Sequence, residues 1–562
     1  MGLRRRFAPV AYLLALLPAL AFWWWQGRPV TVVDAPSARV PCVSYAPYRG
    51  SQTPFDEDLV ISREQIENDL QRLATMTGCV RTYAVNQGLD QVPGVARDLG
   101  MKVMLGAWIG YERKRNERQL AAVIEVARRY PETISAIVVG NEVLLRREQP
   151  AGELAAMIRR VRDAVDVPVT YADVWEFWRK HPEVAEAVDF VTIHTLPYWE
   201  DEPVGIDRAT SHVAQIWRRM RDEFRGKPVF IGEAGWPSAG RMRGPALPSQ
   251  VNQARFVREL MTDAVREGIG INLIESFDQP WKRRLEGTVG GHWGLFGEDR
   301  VAKFPLTGPV SNDPDWPRHF ALAAALGLIL LIPMLVGGRR LSAVSCLGLA
   351  AGAAAAGSLL VIGFREGMLG SRTVYDWMVF AVRWLTAASA AALVLWTLPR
   401  CRVGSPVRPL PMAELFEALR RRQLPTRPWP VTALGVVRAV ALFGATATTL
   451  CFVFDPRYRD FANALHAVTA FAFVALAIAS RPARIRTDLA EERLLAVMLA
   501  AGGIIVAVRE GLANHQALIW TALAVMFAIA VYLEAFAGRA ALDRRTMARA
   551  PSSTPPAAGS GT

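Results

Sequence analysis

Apolar residues are unevenly distributed along this chain. One apolar stretch runs from Phe7 to Trp25, the middle of the chain is mixed, and long apolar runs recur from Phe320 to Phe536. Each of these later runs is close to the ~20 residues that a bilayer crossing requires. They lie at roughly 319–336, 341–363, 374–398, 431–453, 461–480, 494–508 and 517–536. The pattern predicts an N-terminal transmembrane helix, a soluble middle domain and a C-terminal all-α polytopic membrane domain of about seven helices.

The middle of the chain alternates short β-rich runs with amphipathic helical stretches. Its candidate strands are Cys42–Tyr45, Val80–Tyr83, Lys102–Gly106, Ile134–Gly140, Val167–Tyr171, Phe190–His194, Val229–Gly232 and Asn272–Ser276. Helical stretches such as Glu64–Thr75 and Gln250–Arg266 fall between them. Eight strand–helix units predict an α/β fold, a (β/α)8 barrel of the TIM type. The eighth unit is the weakest, because residues 287–309 are loop-like.

Composition supports this division. A chain of 562 residues with 51% hydrophobic residues is too long for one ordinary domain and too apolar for an ordinary soluble protein. We predict four parts: a cytoplasmic stub with a transmembrane signal anchor (1–33), the barrel (34–317), the membrane domain (318–540) and a disordered cytoplasmic tail (541–562). Ala19 to Ala21 resembles a signal-peptidase site, but the aromatic cluster Phe22 to Trp25 favours an uncleaved anchor.

The net positive charge of the chain comes from its apolar parts. The net charge is +13, yet residues 34–317 hold 36 Lys and Arg against 40 Asp and Glu. The excess of basic residues therefore reflects membrane topology, and no nucleic-acid partner is predicted. The segments assigned to the cytoplasm, Met1–Arg6, 337–340, 399–430, 481–493 and the tail from Ala537, hold 20 Lys and Arg, against seven in the outer flanking loops. The positive-inside rule predicts a multi-pass inner-membrane protein with a periplasmic barrel and both termini in the cytoplasm.

Two of the five cysteines fall in the exported domain. Cys42 and Cys79 precede the first and second strands, so they either form a disulfide or remain two buried free thiols. No CxxC or Cys/His metal spacing occurs, and we predict neither a metal nor a cofactor.

Two glutamates follow apolar strands directly. Glu142 comes after the fourth strand and Glu233 after the seventh, so both should face the active-site opening of a barrel. A retaining glycosidase needs two carboxyls about 5–5.5 Å apart, one to donate a proton to the leaving oxygen and one to attack the anomeric carbon. Each glutamate alone has the alternative of a solvated surface charge, but the pair favours catalysis.

Several motifs together resemble glycoside hydrolase family 17, the β-1,3-glucanases and glucanosyltransferases, and in particular a bacterial membrane-anchored branch associated with cyclic β-glucan synthesis. The motifs are Gly140-Asn141-Glu142, Gly232 to Ser238, Val43 to Tyr48, Val80 to Tyr83, Pro197-Tyr198, Glu275 to Lys282 and Trp293 to Phe296. The resemblance covers roughly 40–310. It implies a β-1,3-glucan substrate and a retaining mechanism with Glu142 as acid/base and Glu233 as nucleophile.

The resemblance and the strand positions suggest further site residues. Asn141 is expected to bond the sugar 2-hydroxyl, and Tyr198 to orient Glu233 and keep it ionised. Apolar enclosure and the nearby negative charge are expected to hold Glu142 protonated. Arg81 and Tyr83 are candidates for the sugar site, although Arg81 has the alternative of a structural role.

The remaining candidates lie in the later motifs. His194 ends the sixth strand and is expected at or beside the substrate. Glu275 and Asp278 compete with the catalytic pair, and we assign both to support or substrate binding. Predicted lip tryptophans suit a glucan groove, with core packing as the alternative for each. They are Trp108, Trp175, Trp178, Trp199, Trp236, Trp281 and Trp293, of which we select Trp236, Trp281 and Trp293, together with Lys282 from the same motif.

Three polar clusters occur at the predicted outer membrane edge: Phe364–Met368, Asp455–Asp460 and Val508–Leu512. The clusters are either salt-bridged turns at the membrane interface or a surface that guides glucan. The chain has no P-loop, Rossmann fingerprint or glycosyltransferase signature, which suggests a separate membrane glucan synthase as partner. The sequence favours a β-1,3-glucan transglycosylase or an endo-β-1,3-glucanase. A non-catalytic glucan-binding transport or scaffold component of a synthase complex is the alternative.

Overall fold

The computed structural model describes residues 2–336, 341–401, 407–423, 425–480 and 489–547, with side chains described except at 2–8, 333–336 and 535–547. The predicted loop 337–340 and most of 481–493 lie outside the described residues.

The middle of the chain forms a closed barrel of eight parallel strands in sequence order. The strands are β1 (Val43–Ser44), β2 (Cys79–Arg81), β3 (Lys102–Ala107), β4 (Ile134–Asn141), β5 (Val169–Val174), β6 (Val191–His194), β7 (Val229–Ala234) and β8 (Gly270–Leu273). Pairing of Val43 with Leu273 closes the barrel between β1 and β8. The (β/α)8 prediction is confirmed, and every predicted strand overlaps an observed one.

Helices follow the strands on the outside of the barrel, after one N-terminal helix. They are α1 (Gly2–Gly27), α2 (Arg63–Ala74), α3 (Val92–Asp98), α4 (Arg113–Arg129), α5 (Ala151–Arg162), α6 (Trp175–Lys180), α7 (Pro182–Ala187), α8 (Ile206–Glu223), α9 (Gln250–Glu267) and α10 (Arg283–Gly290). Their ends follow local sequence signals: Ser62 and Ser249 accept backbone N–H groups at the N-termini of α2 and α9. Gly268 ends α9 in a left-handed conformation.

The first and eighth units carry the features that depart from a regular barrel. A disulfide joins Cys42 to Cys79 at the starts of β1 and β2. Strand β8 ends at Leu273, earlier than predicted, so Glu275 lies in the loop beyond it. There Glu275 N–H donates to the carbonyl of Trp293 at 3.1 Å, whereas the N–H groups of Ile274 and Ser276 donate to the carbonyls of Ala234 and Ser44.

A second helical region follows the barrel. Its helices are α11 (Trp316–Val336), α12 (Ala343–Gly370), α13 (Val374–Cys401), α14 (Met412–Arg420), α15 (Trp429–Phe454), α16 (Asn463–Ala479), α17 (Ala490–Glu510) and α18 (His515–Met547). All seven predicted apolar runs are helical, and α14 is an additional short helix inside the predicted loop 399–430. Helix α18 extends to Met547, so residues 541–547 are helical instead of part of a disordered tail; 548–562 lie outside the described residues.

Five helices in the described ranges are long and apolar enough to cross a membrane, judged by length and composition. They are Pro9–Gly27, Ala343–Gly370, Val374–Cys401, Trp429–Phe454 and His515–Glu534, and two shorter apolar helices are Trp316–Ile332 and Asn463–Ala479. The run predicted at 494–508, now within α17, is not among them. Helix α1 packs on α11 and α12, and the Trp23 indole donates to the Ser358 hydroxyl at 3.3 Å. These apolar helices are consistent with membrane association.

The C-terminal face of the barrel contacts the helical region. After β7, the Met242 N–H donates to the Gln516 side chain at 2.8 Å, and Arg241 forms an ion pair with Glu510. After β8, the Thr288 hydroxyl donates to Asp460 at 2.5 Å. Since catalytic groups of such barrels lie at this face, the helical region adjoins the candidate site.

Candidate active site

A cavity of about 940 Å³ opens at the C-terminal face of the barrel, and Glu142 and Glu233 both line it. Glu142 follows β4 directly, and Glu233 is the penultimate residue of β7. One carboxylate oxygen from each, together with a ring nitrogen of His194, lie within 4.8 Å of one another. The two strand-end glutamates thus form one site.

The backbone at the end of β4 turns sharply to present Glu142. Gly140 and Glu142 both have positive φ values, +86° and +53°. A Cβ at Gly140 would lie 2.8 Å from a Val143 methyl carbon, so the position requires glycine. Positive φ is uncommon for a glutamate. Its N–H still donates to the Ala172 carbonyl at 2.8 Å, which ties the turn to β5.

His194 bridges the two glutamates. Its Nδ1 lies 3.0 Å from Glu142 Oε1, and its Nε2 lies 3.6 Å from Glu233 Oε1. Arg81 Nη1 lies 3.3 Å from Nε2. Because a guanidinium only donates, this contact assigns the proton of a neutral imidazole to Nδ1, which then donates to Glu142.

Arg81 lies fully buried beneath the pair and connects β2, β4 and β7. Its Nη1 donates to the Gly232 carbonyl at 2.7 Å and contacts Glu233 Oε1 at 3.3 Å. Its Nη2 donates to Asn141 Oδ1 at 2.6 Å. The Asn141 oxygen is therefore occupied, and its NH2 group remains the donor available to a ligand. Arg81 does not line the cavity, so its structural alternative accounts for its placement.

Tyr83 is the tyrosine that contacts Glu233. Its hydroxyl lies 2.8 Å from Glu233 Oε1 and 2.8 Å from the Ser44 hydroxyl, and Asn272 donates to Ser44 at 2.8 Å. Burial and then the charge of Glu233 raise the pKa of Tyr83 well above its ordinary value. A protonated Tyr83 donates to an ionised Glu233, and Ser44 donates to Tyr83.

Tyr198 does not occupy the position that the sequence suggested. It is fully buried, its hydroxyl donates to the Arg241 carbonyl at 2.8 Å, and it does not line the cavity. The motif Pro197-Tyr198 thus packs the loop after β6, and the contact with Glu233 comes from the end of β2.

The electrostatics of Glu142 also differ from the expectation of a protonated group. Burial raises its pKa, but the hydrogen bond from His194 and the positive charges of Arg146 and Arg81 lower it by more, so the pKa lies below its ordinary value. Arg146 Nη1 lies 3.6 Å from Glu142 Oε2. Enclosure and negative charge alone would keep Glu142 protonated, and the nearby cations reverse that effect.

Glu275 and Lys282 form a buried ion pair in the cavity wall. Lys282 Nζ donates to both carboxylate oxygens at 2.9 Å. Burial raises the pKa of Glu275 to about 7, against the opposing effect of Lys282. Asp278 is engaged outside the cavity lining, where Lys303 Nζ donates to it at 2.6 Å and Gly294 N–H at 2.9 Å. Lysines thus pair with Glu275 and Asp278, and Glu142 and Glu233 line the cavity as the candidate catalytic pair.

The tryptophans divide into two groups. Trp108, Trp199, Trp281 and Trp293 line the cavity. Trp175, Trp178 and Trp236 are buried in the barrel core, and Trp236 donates to the Leu247 carbonyl at 3.0 Å. The core-packing alternative therefore describes Trp236, whereas Trp281 and Trp293 lie where a groove requires them.

Two supporting residues went unrecognised in the sequence. Arg146 stands four residues after Glu142, a spacing that could have identified it. Asp173, buried in β5, accepts the N–H groups of Leu144 and Leu145 at 3.2 and 3.3 Å, and burial raises its pKa to about 6. It anchors the loop after Glu142, and only the barrel brings it there.

The cluster Glu142, His194 and Glu233 offers three atoms that could bind a cation. However, Arg81 and Arg146 already place guanidinium groups 3.3 and 3.6 Å from the two carboxylates. This positive charge disfavours a metal ion and suits carboxylates that act in proton transfer and nucleophilic attack.

The barrel region resembles known proteins. Residues 42–294 match the profile of the BtgE/BtgC glycoside hydrolase domain. A glucan 1,3-beta-glucosidase of Schizosaccharomyces pombe is 29% identical over 254 residues, 42% of this chain and 79% of that protein. The glucan 1,3-beta-glucosidase of Saccharomyces cerevisiae is 25% identical over 44% of this chain and 85% of its own length.

Solved structures include a glycoside hydrolase family 17 beta-1,3-glucanosyltransferase from Rhizomucor miehei. It is 26% identical, with a TM-score of 0.42, and the match covers 48% of this chain and 97% of that one. The family match confirms the resemblance inferred from the motifs; the bacterial branch stays a prediction. Residues 42–294 of this chain are therefore similar to the BtgE/BtgC glycoside hydrolase domain.

Proposed function

We propose that this protein is a membrane-anchored, retaining enzyme that acts on β-1,3-glucan. The observation that carries the proposal is the pair Glu142 and Glu233, whose nearest oxygens lie within 4.8 Å in one cavity. Retaining glycosidases have carboxyls about 5–5.5 Å apart, and inverting ones about 6.5–9.5 Å. The substrate class follows from the relatives named for 1,3-β-glucan.

In this mechanism Glu233 attacks the anomeric carbon while Glu142 protonates the departing glycosidic oxygen. Tyr83 and Arg81 hold Glu233 Oε1, which leaves Oε2 to form the glycosyl-enzyme bond. The Asn141 NH2 group donates to the 2-hydroxyl of the bound sugar, a bond that strengthens as positive charge develops at the anomeric carbon. Glu142 then removes a proton from the acceptor hydroxyl, and the sugar leaves Glu233.

Glu142 must be protonated before the first step. Its side chain is 22% exposed, so solvent supplies the proton. A bound sugar excludes this water, and desolvation favours the neutral carboxyl. We therefore propose that substrate binding raises the pKa of Glu142 and so prepares it to act as the acid.

The acceptor determines the outcome. Water gives endo-β-1,3-glucanase activity, and a second glucan gives transglycosylation. An aromatic cavity that is open to an extended chain suits either acceptor, and membrane anchoring favours remodelling of newly exported glucan by transfer, beside a separate membrane synthase.

We propose that the barrel lies in the periplasm, anchored to the inner membrane, with both termini in the cytoplasm. Three features support this proposal. They are the apolar helices before and after the barrel in the chain, the basic residues concentrated in the segments assigned to the cytoplasm, and the disulfide between Cys42 and Cys79. Disulfides persist in oxidising compartments such as the periplasm.

The test uses the full-length protein in detergent, incubated with linear β-1,3-glucan, with products sized by chromatography. Shorter products alone indicate hydrolysis, and products longer than the input indicate transfer. Retention of the β configuration in the first product, measured by NMR, tests the double displacement. Inversion would refute the assignment of Glu233 as nucleophile.

The control is Glu233→Gln, which keeps the shape of the site and removes the nucleophile. It should abolish turnover and retain glucan binding. If the wild-type protein binds β-1,3-glucan without any turnover, the enzyme proposal fails and the scaffold alternative stands.

A further inference from the structure

The active-site cavity has two lining residues that lie outside the glycoside hydrolase domain. Arg457 and Tyr458 come from the loop between α15 and α16 of the helical region, yet they line the same cavity as Glu142 and Glu233. The matched domain ends at residue 294. The helical region therefore supplies part of the cavity wall.

The chemistry of these two residues suits a saccharide. Tyr458 is 38% exposed, and its ring lies edge to face with that of Trp199, with the centroids 5.9 Å apart. Trp199 in turn stacks with Trp293 at 6.4 Å. The Arg457 guanidinium lies 5.7 Å from the ring centroids of both Trp199 and Tyr458. Aromatic rings pack against the C–H groups of a pyranose, and a guanidinium donates to its hydroxyl groups.

The loop is held in place by the barrel. Asp460 accepts a hydrogen bond from Thr288 at 2.5 Å, and Arg241 donates to the Arg459 carbonyl at 3.3 Å. At Gly287, where φ is +70°, a Cβ would lie 2.3 Å from the Tyr458 carbonyl oxygen. Only glycine permits this approach. The position of Tyr458 is thus fixed by contacts at its own carbonyl and at the two residues that follow it.

We propose that Arg457 and Tyr458, together with Trp199, form a glucosyl-binding subsite that extends the glucan groove onto the helical region. The inference rests on the proposed function and names a further part of the same substrate-binding site. A glucan long enough to reach Tyr458 gains contacts there, and a short oligosaccharide bound only around Glu142 and Glu233 does not. The helical region then acts in substrate recognition in addition to anchoring.

The experiment measures kcat and KM of the full-length protein on linear β-1,3-gluco-oligosaccharides of increasing length. Arg457→Ala and Tyr458→Ala should lower kcat/KM on the long substrates by about 5- to 10-fold through KM, because the lost contacts bind ground and transition states alike. The shortest substrates should be unaffected. Tyr458→Phe should retain the wild-type KM, since it keeps the ring.

Matched controls are Tyr375→Ala and Arg318→Ala, the same side-chain removals at exposed positions of the helical region that do not line the cavity. Both should behave as wild type. Equal losses at all chain lengths, or no loss on long glucans, would overturn the subsite while wild-type turnover upholds the enzyme.

Binding provides a readout that does not depend on catalysis. Calorimetry with Glu233→Gln, alone and combined with Tyr458→Ala, should give a chain-length-dependent difference in Kd. An inactive wild type would refute the enzyme proposal, and the binding difference would then decide the subsite. Equal Kd values at every length would refute it.

Discussion

Removing the hydroxyl of Tyr83 tests the support of the nucleophile. Tyr83→Phe deletes the donor 2.8 Å from Glu233 Oε1, and it keeps the ring on which the Arg81 guanidinium packs at 4.8 Å. A hydrogen bond to a charged group contributes about 1.5–3 kcal/mol, which corresponds to about 10- to 100-fold in rate. Because the hydroxyl holds the attacking group and not the sugar, we expect the loss in kcat, with KM within about twofold of wild type.

The assay is initial-rate hydrolysis or transfer with a linear β-1,3-gluco-oligosaccharide at saturating and limiting concentrations. Tyr130→Phe is the matched control, because Tyr130 directly follows α4 and does not line the cavity. Wild-type kcat in Tyr83→Phe would refute the assigned role in positioning Glu233. A loss confined to KM would instead place Tyr83 among the groups that bind sugar.

Two further predictions concern charge and stability. Arg146→Met removes a cation that lowers the pKa of Glu142, so this pKa should rise. Glu142 should then keep its proton to higher pH, and the alkaline limb of the pH profile of kcat/KM should move to higher pH. Arg147→Met, at an exposed neighbouring position, should leave that limb in place. An unmoved limb in Arg146→Met would contradict the assignment of Glu142 as the acid. Replacing both Cys42 and Cys79 by alanine opens a link between residues 37 apart, which should destabilise the barrel by about 3–4 kcal/mol, measured as a lower Tm of the oxidised protein; equal Tm values would contradict it.

Local patterns in the chain were sufficient for the architecture. Strand-length apolar runs separated by amphipathic helices predicted the (β/α)8 barrel, because each unit buries a strand and one helix face. The apolar runs after residue 318 predicted the long helices of the second region, because each run is close to the length of a bilayer crossing. Boundaries such as the end of β8 were less exact, since strand ends depend on which partner the backbone meets.

The residues around the catalytic pair were harder to predict. Tyr198 and Tyr83 are both tyrosines near strand ends, and nothing in the sequence distinguishes the one that reaches Glu233. The pKa of Glu142 depends on His194, Arg146 and Arg81, three cations or donors drawn from different loops and strands. Their distances, and hence the sign of their combined effect against burial, exist only in the folded barrel.

The sequence by itself determined that two glutamates lie at strand ends of one barrel, because the order of apolar runs assigns each to its strand and parallel strands end on the same face. The tertiary structure decided which residues support that pair and which other residues line the site. Tyr83 and Arg81 reach Glu233 across the barrel, Asp173 anchors the loop after Glu142, and Tyr458 enters the cavity from more than 200 residues further along the chain. Such contacts depend on closure of the barrel and its packing against the helices, and sequence proximity carries no information about them.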